Sequence, residues 1–235
     1  MAELLDWFGL MAGALVVTLI LSAVTAILSV LLATFIAIAA IFPNRVVRFC
    51  ARSYVDIFRS IPLLVLLIFV YYVLGTWAKD VGLNSFWLAV IALTLNEAAY
   101  LSETYRGGLL AISQAQRDAG MSLGLPWHAI MRHIVIPQAV LPATPSTLNA
   151  VIGIVKDSSL ASLITVGEVT LIANNIVYAT FKPLQVYLAL GVVYAAVVIP
   201  LTVVSHAIER RVPSAHDFLG ELSQSGPMTI ARKSP

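Results

Sequence analysis

Long runs without Asp, Glu, Lys, Arg or His alternate along the chain with short charged stretches. The charge-free runs are Trp7–Asn44, Ser60–Ala78, Val81–Asn96, Ile134–Val155 and Pro183–Ser205. Their apolar residues are continuous rather than alternating, which argues for helices over half-buried strands. A helix crosses a bilayer with about 20 mostly apolar residues. A segment in lipid must also satisfy its own backbone hydrogen bonds, which leaves helices or closed barrels. The expected fold is all-α and polytopic, with about five transmembrane helices by that length rule. A further run, Ser158–Phe181, is interrupted by Glu168 and carries Asn174 and Asn175. It is expected to be a re-entrant or vestibule segment rather than another span. The first run exceeds what a bilayer needs, so it must tilt or project into water. Its small residues Gly13, Ser22, Ala26 and Ala33 would let neighbouring helices approach closely.

Composition agrees. Of 235 residues, 60% are hydrophobic and 11% charged, against about 25% charged in soluble domains. The net charge of +2 says less than where the charges sit. Arg45, Arg48, Arg52 and Arg59 follow the first span; Arg106, Arg117 and Arg132 follow the third; Arg210 and Arg211 follow the fifth, with Arg232 and Lys233 in the tail. The other loops hold only Lys79, Lys156 and Lys182. Positive residues favour the cytoplasmic side, which predicts the N-terminus outside and the C-terminus in the cytoplasm. Trp77, Trp87, Tyr71 and Tyr72 then fit an outer interfacial belt. The acidic start, Glu3 and Asp6, lacks a basic n-region, and the first run is too long for a signal-peptide core. Cleavage near Ala39–Ala40 is therefore set aside in favour of a retained span. A single cysteine, Cys50, excludes an intrachain disulfide framework. Residues 1–211 read as one transmembrane domain and residues 212–235 as a polar tail.

The loop at 113–137 is more than a linker. Ser113-Gln114-Ala115-Gln116 has capping-box form and predicts a helix to about Leu123. Gly124 suits the end of that helix, and Pro126 the first turn of a second, running to Ile134. The predicted unit is a helix–turn–helix whose exposed side can carry Arg117, Asp118, His128 and Arg132. Periodicity alone leaves two readings open: a solvated elbow between spans, or an element presented to another protein. Pro137, Pro142 and Pro145 interrupt the hydrogen-bond ladder where the fourth span begins, as a hinge or as a static kink.

The spacing in this loop resembles a motif of ABC-importer permeases: Glu-Ala-Ala, three residues, Gly, nine residues, Ile, any residue, Leu-Pro. Here Asp118-Ala119-Gly120 is followed at the same spacing by Gly124 and by Ile134-Val135-Ile136-Pro137. Asp118, Gly120 and Ile136 depart from the usual residues. The literal Glu97-Ala98-Ala99 is a decoy, with no Gly four positions on. Tyr54 through Leu64 is similar to the stretch before the second span in permeases for polar amino acids, although Ser60 and Ile61 replace Gly and Thr. Asn96 through Gly108, Pro137-Gln138-Ala139 and Lys156-Asp157-Ser158-Ser159-Leu160 resemble the same family, which takes up histidine, arginine, glutamine, glutamate and opines.

The resemblance implies a permease subunit in a bacterial inner membrane. Its expected partners are ATP-binding cassette ATPases, a second permease subunit (identical or paralogous), an extracytoplasmic solute-binding protein and membrane lipid, with no nucleic acid. The chain lacks a Gly-rich phosphate loop ending in Gly-Lys-Ser/Thr. It is therefore expected to bind no cofactor itself, leaving ATP and Mg to the partner. The implied docking residues are Asp118, Ala119, Gly120, Gly124, Pro126, His128, Arg132, Ile134 and Pro137.

Ionisable residues inside a membrane are costly, and by default functional candidates. Glu97, near Asn96, either faces a polar cavity that attracts an ammonium or guanidinium group, or pairs with a basic residue of a neighbouring helix. Lys156 and Asp157 either pair locally or bracket a zwitterion, and the resemblance favours the second role for Asp157 and Ser158. Glu168 could line the same vestibule. Glu103 and Arg106, at i, i+3, are expected to pair within one helix. His128, His133 and His206 form no metal-ligand cluster. An intramembrane enzyme would want His-Glu-x-x-His or facing catalytic aspartates, and neither occurs, so no enzymatic activity is expected. A passive channel or scaffold remains the alternative, one that leaves the ordered loop motif unexplained.

Overall fold

The computed structural model describes residues 2–80 and 82–210. Val81, Arg211 and the tail expected at 212–235 lie outside the described residues. In chain order the elements are α1 (Ala2–Ala40), α2 (Arg45–Ser60), α3 (Leu63–Asp80), α4 (Ser85–Ala111), α5 (Gln114–Ser122) and α6 (Trp127–Ile130). A π-helical turn (Met131–Val135) leads into α7 (Ile136–Asp157), and a 3-10 segment (Ser158–Ile164) precedes α8 (Val169–Thr180) and α9 (Pro183–Glu209). Glu3–Ala40, Ser85–Ala111, Trp127–Ile164 and Pro183–Glu209 are long and apolar enough to cross a membrane. The α2–α3 pair, bent by 104°, supplies a fifth candidate.

Helix α1 has 39 residues, about 58 Å at 1.5 Å per residue, so it outruns a hydrocarbon core of about 30 Å. It packs most extensively on α4. A stripe of small polar side chains on α1, Thr18, Ser22, Thr25 and Ser29, is buried, with Ser22 Oγ donating to the Thr18 carbonyl at 2.8 Å. Ala33 packs on Ala98 and Leu101 of α4. Of the small residues expected to serve close packing, Ser22, Ala26 and Ala33 are buried, whereas Gly13 faces outward. The outer faces are apolar, with Leu31, Phe35, Leu188 and Val203 exposed, as lipid contact allows.

Three boundaries differ from the charge-based expectation. The arginine-rich stretch after α1 is a helix, α2, rather than a loop. Asn44 starts it, its Oδ1 accepting from the Val46 N–H at 2.8 Å and the Val47 N–H at 3.4 Å. Ala51 and Val55 are buried against Ile36 and Ala40 of α1, while Arg45, Arg52 and Arg59 stay exposed. Pro62 ends α2, because the residue before a proline is pushed out of helical geometry; Ile61 has ψ 124°. Second, α4 does not stop at Asn96 but runs on to Ala111. Its late charges are tolerable because Arg106 Nε donates to Glu103 Oε2 at 2.9 Å, the i, i+3 pair expected from sequence. Third, the second loop helix and the fourth span form one helical run, Trp127–Ile164.

Helix α8 has 12 residues, about 18 Å, too short to cross. It is wedged against the first turns of α1 and α9 through Trp7, Met11, Ala173, Ile176 and Val186.

Candidate functional site

Two places concentrate polar or exposed features: the loop joining α4 to α7, and a pocket where α2, α3, α4 and the end of α7 meet.

The loop starts at Ser113, whose Oγ accepts from the Ala115 N–H at 3.2 Å. The reciprocal half of the expected capping box is not formed. The Gln116 side chain instead accepts from Gln138 Nε2 at 2.9 Å, and Gln138 Nε2 also donates to the Ile134 carbonyl at 2.7 Å. Helix α5 is thereby tied to the base of α7. It ends in a Schellman turn: the Leu125 N–H donates to the Gly120 carbonyl at 3.1 Å and the Gly124 N–H to the Met121 carbonyl at 2.9 Å. Such a turn places its closing residue in left-handed geometry, and Gly124 has φ +76°. Pro126 caps the next helix rather than occupying its first turn, so α6 begins at Trp127.

Of the residues expected to dock a partner, Asp118, Ala119, Gly124, Pro126, His128, Arg132 and Pro137 are exposed. Gly120 is buried and Ile134 half-buried. These two face each other: a Cβ on Gly120 would lie 3.0 Å from Ile130 Cγ1 and 3.3 Å from Ile134 Cδ1. They brace the two helices internally. Sequence reading missed the apolar tip beside Gly124, where Met121, Leu123 and Leu125 are 55%, 80% and 39% exposed. Apolar residues crowded around a turn glycine were the available signal. It also missed Trp127, whose ring meets Phe42 edge-on at 4.9 Å and so joins the loop to the turn after α1. Below the tip, Ile130, Met131, Val135 and Ala139 pack on Ala37 of α1 and Leu109 of α4. The base of the loop is therefore packed on α1 and α4 as well as on its own helical run.

The π turn at Met131–Val135 sits just before Pro137. Proline donates no hydrogen bond and would break a regular ladder. The wider turn shifts the register, and the Ile136 N–H donates to the Met131 carbonyl, so the helix continues. Pro142 and Pro145 also lie inside α7 without ending it.

The polar pocket, about 540 Å³, is lined by Arg59, Pro62, Leu64, Asn96, Glu97, Tyr100, Asp157 and Leu160 among others. That volume falls within the about 300–1,000 Å³ of small-molecule sites. It unites Glu97 of α4 with Asp157 at the end of α7. The corner between α2 and α3 is held to α4 by side chains. Tyr54 donates to the Leu95 carbonyl at 2.7 Å, and Asn96 Nδ2 to the Phe58 carbonyl at 3.2 Å. Asn96 thus lines the pocket while one of its side-chain N–H donors is spent on its wall. A second polar pocket, about 330 Å³, adjoins through Arg59 and includes Arg52, Asp56, Glu103 and Arg106.

The remaining expected solute residues are not brought there. Lys156 is exposed and absent from the lining. Ser158 is buried, its Oγ donating to the Val155 carbonyl at 2.8 Å. Glu168 is fully buried as the N-cap of α8. Its oxygens accept from the Thr170 N–H at 2.9 Å, the Leu171 N–H at 2.8 Å and the Tyr194 hydroxyl at 3.2 Å. Thr18 Oγ1 takes the Val169 N–H at 3.1 Å, so the first amides of α8 are all paired. Glu168→Ala is expected to destabilise the fold by about 2 kcal/mol, from the lost cap and the stranded donors. Glu168→Gln should fall between, as read by thermal unfolding in detergent.

The described helices form a bundle with several candidate membrane spans and a braced loop at one end. Residues 29–214 match the family described as the binding-protein-dependent transport system inner membrane component, and the chain belongs to it. It is a multi-pass membrane permease, one subunit of an importer that works with an ATPase and a binding protein. The arginine transport system permease protein ArtQ of Bacillus subtilis is 33% identical over 85% of this chain and 91% of its own length. The nopaline transport system permease protein NocM of Agrobacterium fabrum is 35% identical over 81% and 83%. The crystal structure of an amino acid ABC transporter with histidines superposes with a TM-score of 0.79, at 29% identity, over 89% of this chain and 97% of that one.

Proposed function

We propose that this permease serves an importer for cationic amino acids or opines, and that Glu97 and Asp157 hold the cationic groups of the solute. The observation that supports this is the pocket itself, in which two carboxylates from different helices share one cavity and, among the described residues, neither forms an ion pair. Carboxylates left unpaired at membrane depth are costly unless a cation arrives to meet them. The named substrates of related permeases, arginine and nopaline, carry such cations. In this reading the chain moves its solute without altering it chemically, and a second permease, identical or paralogous, closes the open side of the pocket. The N-terminus lies outside and the α5–α6 loop in the cytoplasm, where Asp118, Gly124 and the apolar tip meet the ATPase. ATP and Mg remain with that partner.

Glu97→Gln and Asp157→Asn are each expected to lower uptake of a cationic amino acid by about tenfold or more, the loss of one charge-assisted contact. Uptake of a neutral amino acid should fall much less. Proteoliposomes containing the assembled transporter and saturating binding protein provide the measurement. Unchanged selectivity between the two solutes in both variants would refute the assignment.

A further inference from the structure

Arg59 lies in the last turn of α2 and lines both polar pockets. Its guanidinium carbon lies 5.1 Å from the centre of the Tyr100 ring, and the Tyr100 hydroxyl donates back to the Arg59 carbonyl at 3.4 Å. Among the described residues Arg59 has no ion-pair partner, although Asp56 and Glu103 line the adjoining pocket. Glu103 is engaged by Arg106. Stacking on an aromatic ring occupies the face of a guanidinium and leaves its in-plane N–H donors free, and those donors match a carboxylate in bidentate geometry. The larger pocket therefore presents two carboxylates, Glu97 and Asp157, and one guanidinium with unused donors. That set is the charge complement of a cationic α-amino acid, which brings a side-chain cation, an α-ammonium and one α-carboxylate.

We propose that Arg59, held on the face of Tyr100, binds the α-carboxylate of the solute and makes the pocket selective for amino acids over the amines that lack that group. The proposal rests on the assignment of Glu97 and Asp157 to the solute's cations. It adds a specificity determinant on a third helix, opposite in charge to the two carboxylates.

The test uses the permease assembled with its ATPase in lipid nanodiscs, without binding protein. Direct binding of lysine is compared with that of cadaverine, which is lysine without its carboxylate. Arg59→Gln is expected to weaken lysine about tenfold or more while leaving cadaverine within about twofold, since only the carboxylate contact is lost. Arg59→Lys, which keeps the charge but not the planar fork, should retain part of the lysine affinity. An Arg59→Gln variant that binds both ligands as the wild type does, or loses both equally, overturns the role. Glu97→Gln separates the two readings. If it weakens both ligands while Arg59→Gln weakens neither, only the carboxylate role fails. If Glu97→Gln changes neither, the pocket assignment fails and the role of Arg59 with it.

Discussion

Replacing Gly124 with Asp is expected to abolish uptake while leaving the bundle folded and inserted. Gly124 closes the turn after α5 with φ +76°, and a Cβ built on it meets nothing within 4 Å. Inside this chain a side chain there brings only the strain of left-handed geometry, about 1–2 kcal/mol, and Asp tolerates that geometry better than most residues. The larger effect lies outside the chain. Met121, Leu123 and Leu125 form an exposed apolar tip around the same turn, and burying that tip against a partner would strip water from the new carboxylate. An unpaired buried charge costs several kcal/mol, which is more than a hundredfold in affinity. Gly124→Ala isolates the strain and should keep a substantial part of transport. Uptake in proteoliposomes and co-purification of the ATPase read the two effects separately. Transport by Gly124→Asp at the wild-type rate would remove the tip from the docking surface.

The same turn shows what a single sequence discloses. Gly124, the exposure of Asp118 and the helix–turn–helix form were legible because caps and breakers act locally. Spans α1 and α9 were legible because nothing in them interrupts an apolar run. The end of α4 was not, because charge was read residue by residue, and Glu103 and Arg106 neutralise each other only once the helix brings them together. Helix α2 had local signals, with Asn44 as cap and Arg45, Arg48 and Arg52 at helical spacing around buried Ala51 and Val55, but its arginines made it resemble a loop. Pro137 signals a break in the ladder at the start of the fourth span, and the compensating π turn leaves no mark in composition. The polar pocket was legible only as a set of unrelated candidates. Glu97 and Asp157 are joined by the packing of α4 against α7, whereas Glu168 was drawn off by a helix start that needs a carboxylate. A charged residue in an apolar run marks a cost; which neighbour offsets that cost is decided by tertiary structure.

Gly120→Leu is expected to uncouple the loop from the spans, whereas Gly120→Ala should do so only slightly. Gly120 is buried where α5 crosses the start of the Trp127–Ile164 run. A Cβ there would approach Ile130 Cγ1 to 3.0 Å, Ile130 Cδ1 to 3.2 Å and Ile134 Cδ1 to 3.3 Å. All three atoms belong to side chains, and the Ile130 and Ile134 rotamers can yield a few tenths of an ångström to one methyl group. A Leu side chain cannot be absorbed that way. Overpacking of this kind costs about 1–3 kcal/mol, enough to lift α5 from its seat and break the Gln138–Gln116 hydrogen bond that ties it to α7. Among the described residues the largest buried cluster of the spans lies elsewhere, around Leu67, Ala89 and Ala92, so insertion should survive. The expected signature is a transporter that still binds its ATPase through the exposed tip but hydrolyses ATP without moving solute in proportion. The ratio of solute transported to ATP hydrolysed measures it. An unchanged ratio in Gly120→Leu would show that the loop transmits force without the rigid α5–α6 contact, through Trp127 and Phe42 alone.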